Sequence, residues 1–197
     1  MEKSFGFRYT NEDHHLYKLV SIGHEIARDT NYHWDGMKRE GSGFIFQWTL
    51  KGTGMLRIGE EYREVGKHQA LRVQIPSDHA YWYPPDAAEP WEFIWIRFEG
   101  IRGEGMRKEL LGLHSNILTL PPESPPIILL WKLYEDVSHK QVGDRFDLSL
   151  RIYEWLLALQ RFLQSKEAVS QHEIPAPYRK VASHIDQHYA SDLSLDH

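Results

Sequence analysis

Hydrophobic positions change period once along the chain. From residue 44 to residue 98 apolar residues come in short runs separated by turn signals, as in strands, and beyond residue 126 they recur at helical spacing. Phe44-Ile45-Phe46-Gln47-Trp48-Thr49-Leu50 is dense in aromatic and β-branched residues and stops at Lys51-Gly52-Thr53-Gly54, where two glycines permit the positive φ of a hairpin connection. Met55-Leu56-Arg57-Ile58 is the expected return strand. Ile58-Gly59-Glu60-Glu61-Tyr62 reads as a second turn and strand, Gly66-Lys67 as a third turn, and residues 70–75 as a strand ended by Pro76. A proline-rich loop over residues 84–90 precedes a long strand, Trp91-Glu92-Phe93-Ile94-Trp95-Ile96-Arg97-Phe98. Five or more strands at spacings of about ten residues predict a small antiparallel sandwich or barrel. Glycine follows the same division: ten of the fourteen lie between residues 36 and 105, and after Gly112 only Gly143 remains.

Pro121-Pro122-Glu123-Ser124-Pro125-Pro126 is a stiff spacer. Pro126 suits the first turn of a helix running to about His139, and Asp144 is the N-cap of a longer one ending near Ser165. In the longer helix Ile152, Leu156, Leu159 and Leu163 form a seam that Tyr153, Leu157 and Phe162 widen. Such a seam serves either an intrachain core or a partner helix. After Pro175-Ala176-Pro177, residues Tyr178, Val181, Ala182, Ile185 and Tyr189 repeat at helical spacing, and Ser191-Asp192-Leu193-Ser194-Leu195 reads as a capped turn into another helix. Those two helices have no apolar partner of their own, so residues 173–197 are expected to open a further domain cut short at His197.

Composition narrows the class. A chain of 197 residues that is 41% hydrophobic and 26% charged suits one domain with a small appendage. Its net charge of −5 argues against gripping nucleic acid by itself. The lack of cysteine excludes disulfides, thiolate zinc sites and cysteine nucleophiles, and fits a reducing compartment. Met1-Glu2-Lys3-Ser4-Phe5 is no secretory signal, and no apolar run approaches the roughly 20 residues a bilayer needs, so a cytoplasmic location and no membrane contact are expected.

Twelve histidines raise the question of a metal. His14-His15 reads as an exposed pair, and His184 and His188, at i and i+4, as a solvated helix face. Metal-holding β-barrels place His-x-His, a Glu and a later His on inward strand positions, yet neither residues 44–50 nor residues 91–98 contain a histidine. No metal and no cofactor are therefore expected. Nucleophile elbows and phosphate loops are also missing: Gly41-Ser42-Gly43 reads as a turn, and Glu60-Glu61 sits at a hairpin tip where water keeps both carboxylates ionised. The chemistry-bearing stretch is residues 79–98, which holds Tyr81, Trp82, Tyr83, Trp91, Phe93, Trp95 and Phe98. Strand alternation puts Trp91, Phe93, Trp95 and Arg97 on one face and Ile94, Ile96 and Phe98 on the other, so one face is expected in a lumen and the other under helices. Trp and Tyr suit stacking on a sugar ring, or they simply fill the barrel. Arg39 and Glu40, at the barrel edge, either hold a polar ligand or are surface charges.

Together these residues resemble the N-terminal sensor domain of the AraC family of bacterial transcription regulators. The matching features run in order: His33-Trp34 with Arg39 and Gly41, the strand closed by Gly52-x-Gly54, Tyr62 and Gly66, the Pro76-Ser77-Asp78-His79-Ala80-Tyr81 corner, and Pro90-Trp91 through Phe98-Glu99-Gly100. Residues 178–195 are similar to the first helix of the family's DNA-binding domain. The resemblance implies a mainly β fold with C-terminal α: a cupin-like antiparallel jelly-roll barrel with an N-terminal arm over residues 1–120, then a pair of antiparallel dimerisation helices over residues 121–172. Residues 173–197 would be a linker and the first helix of a helix-turn-helix DNA-binding domain. It implies a small effector, a sugar, in the lumen, with contacts falling by position on Trp82, Phe93 and Trp95, with Arg39, and on His79 and Tyr81 of the corner. It also implies a homodimer through Ile152, Leu156, Leu159 and Leu163, DNA contact only through the further domain, an arm able to close over the pocket, and no catalysis. Two departures stand out: Lys67 replaces the common Asp, and Phe93 stands where the arabinose sensor has a polar ring. The alternatives are a stand-alone cupin enzyme, such as a sugar epimerase or a metal-dependent oxygenase, and a structural dimerisation module with a filled barrel.

Overall fold

The computed structural model describes residues 2–9, 15–100 and 115–171. Among these residues ten strands precede two helices: β1 (Lys3–Gly6), β2 (Lys18–Ala27), β3 (His33–Asp35), β4 (Gly43–Lys51), β5 (Gly54–Ile58), β6 (Glu61–Val65), β7 (Gln69–Ile75), β8 (His79–Trp82), β9 (Trp91–Glu99), β10 (Ile117–Thr119), α1 (Pro125–Ser138) and α2 (Arg145–Gln171). The chain divides into two compact units, Met1–Phe162 and Leu163–His197. The first holds both sheets and α1. Of the second, the described part is the end of α2, and the expected linker and DNA-binding helix lie outside the described residues.

The six-stranded sheet has the order β1-β2-β9-β4-β7-β10, and the four-stranded sheet the order β3-β8-β5-β6. Within them β2-β9-β4-β7 faces β3-β8-β5-β6, which is jelly-roll topology. The expected barrel is an open two-sheet roll, because no strand of one sheet pairs with a strand of the other among the described residues.

Strand β9 shows why the roll folds this way. Trp91, Phe93, Trp95 and Arg97 face inward, in register with Thr49, Gln47 and Ile45 of β4 and with Ala27, Glu25, Gly23 and Ser21 of β2. Phe98, on the opposite face, meets Trp155 of α2 at 5.7 Å between ring centroids, and Phe46 of β4 meets the same indole at 5.0 Å. One face is thus interior and the other lies under helices, as the alternation predicts. Between the sheets Ile45, Leu56, Leu71, Val73, Ile75, Tyr81, Trp91 and Phe93 belong to one buried cluster. The deep part of the roll is filled with side chains, each large apolar one contributing about 1.5–3 kcal/mol on burial.

The Gly52-x-Gly54 turn divides its labour. Gly52 adopts φ +72°, as a hairpin connection requires, whereas Gly54 leaves room for the Trp91 ring, which occupies the space a side chain would need. The Trp91 indole then donates to Thr49 Oγ1 at 3.0 Å.

Asp144 caps α2 as expected: its Oδ1 accepts from the backbone N–H of Phe146 at 2.9 Å and of Asp147 at 3.1 Å. The seam is corrected. Ile152, Leu156 and Leu159 are buried within their own chain, at 0%, 0% and 3% exposure, so these three are not a free dimer face. Among the described residues, the exposed large apolar ones of α2 are Phe146, Leu150, Tyr153 and Leu157. The described part of the N-terminal arm is also placed: β1 pairs antiparallel with β2, Arg28 holds Glu2 at 2.7 Å, and the Phe5 ring packs edge-on against Tyr134 of α1.

Candidate functional site

Polar residues collect between the sheets where β9 ends, beside the β3–β4 loop. That loop carries Arg39 and turns at Gly41, whose φ is +81°. The Arg39 guanidinium donates to the Tyr81 hydroxyl and lies over the Trp34 ring, 4.1 Å from its centroid. Arg97 reaches the same loop from β9, its Nη2 donating to the carbonyls of Glu40 at 2.9 Å and Ser42 at 3.1 Å. A side chain at position 41 would come within 2.7 Å of that Nη2, so Gly41 serves both the turn and the guanidinium.

One inward rung deeper, Gln47 of β4 lies opposite Trp95 of β9. The Tyr32 hydroxyl donates to Gln47 Oε1 at 3.1 Å, and the Gln47 amide nitrogen is buried without an acceptor among the described residues. The Trp95 indole donates to Glu25 Oε1 at 3.0 Å. Burial raises the Glu25 carboxyl above its ordinary value, against the pull of the Trp95 hydrogen bond. Burial likewise pushes the Tyr81 hydroxyl up to about 12, with Arg39 opposing, and holds Tyr32 protonated well above the usual tyrosine range. Both tyrosines are therefore neutral groups able to donate or accept near neutral pH.

The mouth opens into a cleft of ≈ 470 Å³ lined by His33, Trp34, Asp35, Lys38, Arg39, Glu40 and Arg97. That volume falls within the ~300–1,000 Å³ of small-molecule sites.

The structure sorts the six residues expected to contact a ligand. Arg39 and Tyr81 touch, and Trp95 lies on the same interior side with Arg97. Phe93 is fully buried, its ring 5.2 Å from Tyr32 and 4.8 Å from Trp91, and forms the packed floor. His79 is fully buried behind Tyr81, with the two rings parallel at 6.1 Å and Nδ1 against Ser77 Oγ at 2.8 Å. Its ring lies flat on Gly36, and burial lowers its pKa to about 4, so it is neutral. Trp82 is a correction. It sits next to Tyr81 in an antiparallel strand and so faces the opposite way, packing on the outer side of the four-stranded sheet against His33 at 5.8 Å and Tyr62 at 6.2 Å. It does not reach the interior.

Glu25, Tyr32, Gln47 and Arg97 were not among the expected site residues. Gln47 and Arg97 carry a readable signal, since each is a polar residue in phase with the inward positions of an apolar strand. Tyr32 and Glu25 come from the segment before residue 44, where alternation is weak. No group of three His, Asp or Glu side chains able to hold a metal occurs among the described residues, and no described helix is long and apolar enough to cross a membrane.

A jelly roll with a polar mouth, an aromatic interior and helices packed on one sheet defines a small-molecule binding domain in architecture. The family model for the AraC-like ligand binding domain matches residues 22–156, and the chain belongs to that family. No curated protein matches it. Similar solved structures include ToxT from Vibrio cholerae, with 10% identity, 90% of this chain and 68% of that chain covered and a TM-score of 0.45. The YhaK protein from Escherichia coli shows 13% identity over 63% of this chain, with a TM-score of 0.43, and this chain spans 53% of its length. The Cupin_2 domain of an XRE family transcriptional regulator from Enterobacter cloacae shows 14% identity, covers 49% of this chain and 94% of its own, and has a TM-score of 0.35.

Proposed function

We propose that this AraC-like ligand binding domain is the sensing and dimerisation part of a transcription regulator, taking a small polyhydroxylated effector, a sugar, at the mouth between its sheets, and that it is not itself a catalyst. The observation that carries the effector reading is the Gln47 amide nitrogen, buried with no acceptor among the described residues beside the Tyr32 hydroxyl. A buried donor left unmet costs about 1–3 kcal/mol, and a ligand oxygen would recover it. Trp95 and Trp34 offer flat apolar faces next to the hydrogen-bonding groups, the pairing that suits a sugar ring.

The homodimer forms through the exposed stripe of α2 and not through its buried seam. Phe146, Leu150, Tyr153 and Leu157 follow one another at steps of four, three and four residues, the spacing of a coiled-coil contact line that a second copy can match. The effector site is joined to that stripe by covalent continuity and contact. Strand β2 carries Glu25, and Tyr17, just before β2, donates its backbone N–H to Ser149 Oγ at 2.9 Å and stacks on Tyr153 at 5.7 Å. Effector binding that shifts β2 therefore acts on the dimer helix and, through it, on the placement of the DNA-binding domains.

The test is tryptophan fluorescence and thermal shift with a panel of monosaccharides and related metabolites, on the wild type and on Trp95→Phe and Gln47→Leu. Quenching and a raised Tm that both variants weaken are the expected result. If no compound shifts either signal, the sensing reading fails.

A further inference from the structure

We infer that the effector carries a carboxylate, held by Arg39 and Arg97 at the cleft mouth, so that the ligand class is a small hydroxylated organic acid such as a sugar acid. The inference rests on the proposed effector site and narrows its ligand.

Two guanidinium groups converge there, and no carboxylate forms an ion pair with either among the described residues. Arg39 is engaged by the Tyr81 hydroxyl and the Trp34 ring, and Arg97 by two backbone carbonyls. Neither forms an ion pair among the described residues, although other cations there do, from Arg28 with Glu2 to Arg151 with Asp147. Arg97 Nε is buried and meets no acceptor among the described residues. The two cations also oppose each other: burial, then the nearby Arg39, lower the pKa of Arg97, with Glu99 and Tyr81 pulling the other way.

Of the local carboxylates, Glu99 offsets this in part, by its charge and without an ion pair to Arg97. Asp35 is paired with Lys38 at 3.4 Å, Glu25 accepts from Trp95 and is held toward its neutral form by burial, and Glu40 is exposed, offering Arg97 its backbone carbonyl. Partly buried charges are normally matched, and an arginine fork is shaped for a planar carboxylate. An anionic group in the ≈ 470 Å³ cleft lined by both arginines supplies the missing partner.

Matched pairs test this, each an acid and the alcohol that replaces its carboxylate with a hydroxymethyl group: D-glucuronate and D-glucose, D-galacturonate and D-galactose, benzoate and benzyl alcohol. Binding is read by calorimetry and tryptophan fluorescence on the 197-residue chain. The expected result is an acid that binds at least about tenfold tighter than its alcohol, a preference removed in Arg97→Gln and in Arg39→Gln, and an affinity for the acid alone that falls with added salt. Each variant's tryptophan emission and Tm without ligand establish that it is folded, and the salt dependence on the wild type stands without either variant. Alcohols binding as tightly as their acids overturn the carboxylate inference and leave the sensing reading intact. Silence of both series, together with the monosaccharide panel, overturns both.

Discussion

The Trp95 indole reaches the Glu25 carboxylate at 3.0 Å by lying across Gly23, its cross-strand partner. A β-carbon at position 23 would stand 2.8 Å from the indole nitrogen and 2.9 Å from the Ser4 β-carbon on β1. One glycine thus lets the arm strand, the central sheet and the site's aromatic residue meet at a single point. Gly23→Ala is expected to tilt the indole away, break the hydrogen bond and destabilise the fold by about 1–3 kcal/mol. Urea midpoints and the tryptophan emission maximum measure this. A midpoint and emission spectrum equal to wild type would refute the contact.

His79 makes stability depend on pH. Its folded pKa of about 4 lies below its ordinary value of 6.5, so between these values the unfolded chain binds more protons than the native one. Its contribution is fully present above pH 6.5 and is lost as pH falls toward 4, at a cost of about 3 kcal/mol over the window. Glu25, whose carboxyl is raised, acts with the opposite sign, favouring the native state as pH falls toward 4.5. The wild type must therefore be compared with His79→Gln across pH in urea titrations. The stability advantage of the wild type should shrink steadily on acidification, and a constant difference would show that His79 is not buried in its neutral form.

Two glycines separate backbone freedom from close packing. Gly59 has φ +55° with nothing near its missing side chain, whereas Gly54 lies against the Trp91 ring. Gly59→Ala should cost about 1 kcal/mol, as left-handed backbone does, and leave Trp91 in place. Gly54→Ala should cost more, about 1–3 kcal/mol from overpacking, and should alter the near-ultraviolet circular dichroism of the buried indole. Equal losses would contradict the assigned role of Gly54.

The two sides of α2 predict opposite outcomes. Leu150 is 66% exposed and Leu157 41%, while Leu156 is fully buried. Leu150→Asp and Leu157→Asp should keep the native Tm of the monomer and shift sedimentation from dimer to monomer. Leu156→Asp should unfold the helix–sheet core, since a buried carboxylate without a partner is costly. Dimers that survive both exposed-face substitutions would exclude this stripe as the interface.

Sequence alone was enough for the alternation of residues 91–98 and the helical steps after residue 126, because both are periodicities of the backbone itself. Those two patterns also indicated a two-faced strand covered by helices, while the Asp144 cap was legible from its residue type and the family from the resemblance carried by the order of the motifs. They did not say which way a helical seam turns. Leu156 and Leu157 are both apolar, and only the sheet beneath α2 decides that the first is core and the second surface. Nor did they separate Tyr81 from Trp82, adjacent aromatic residues whose faces depend on the register of β8 against β3 and β5. Arg39 and Arg97 lie far apart in the chain, and their convergence depends on the β3–β4 loop folding back over the end of β9. Local preferences act over a few neighbouring residues, whereas the polar site is assembled from β2, β3, β4, β8, β9 and the β3–β4 loop by long-range pairing, which is why the structure was needed to find it.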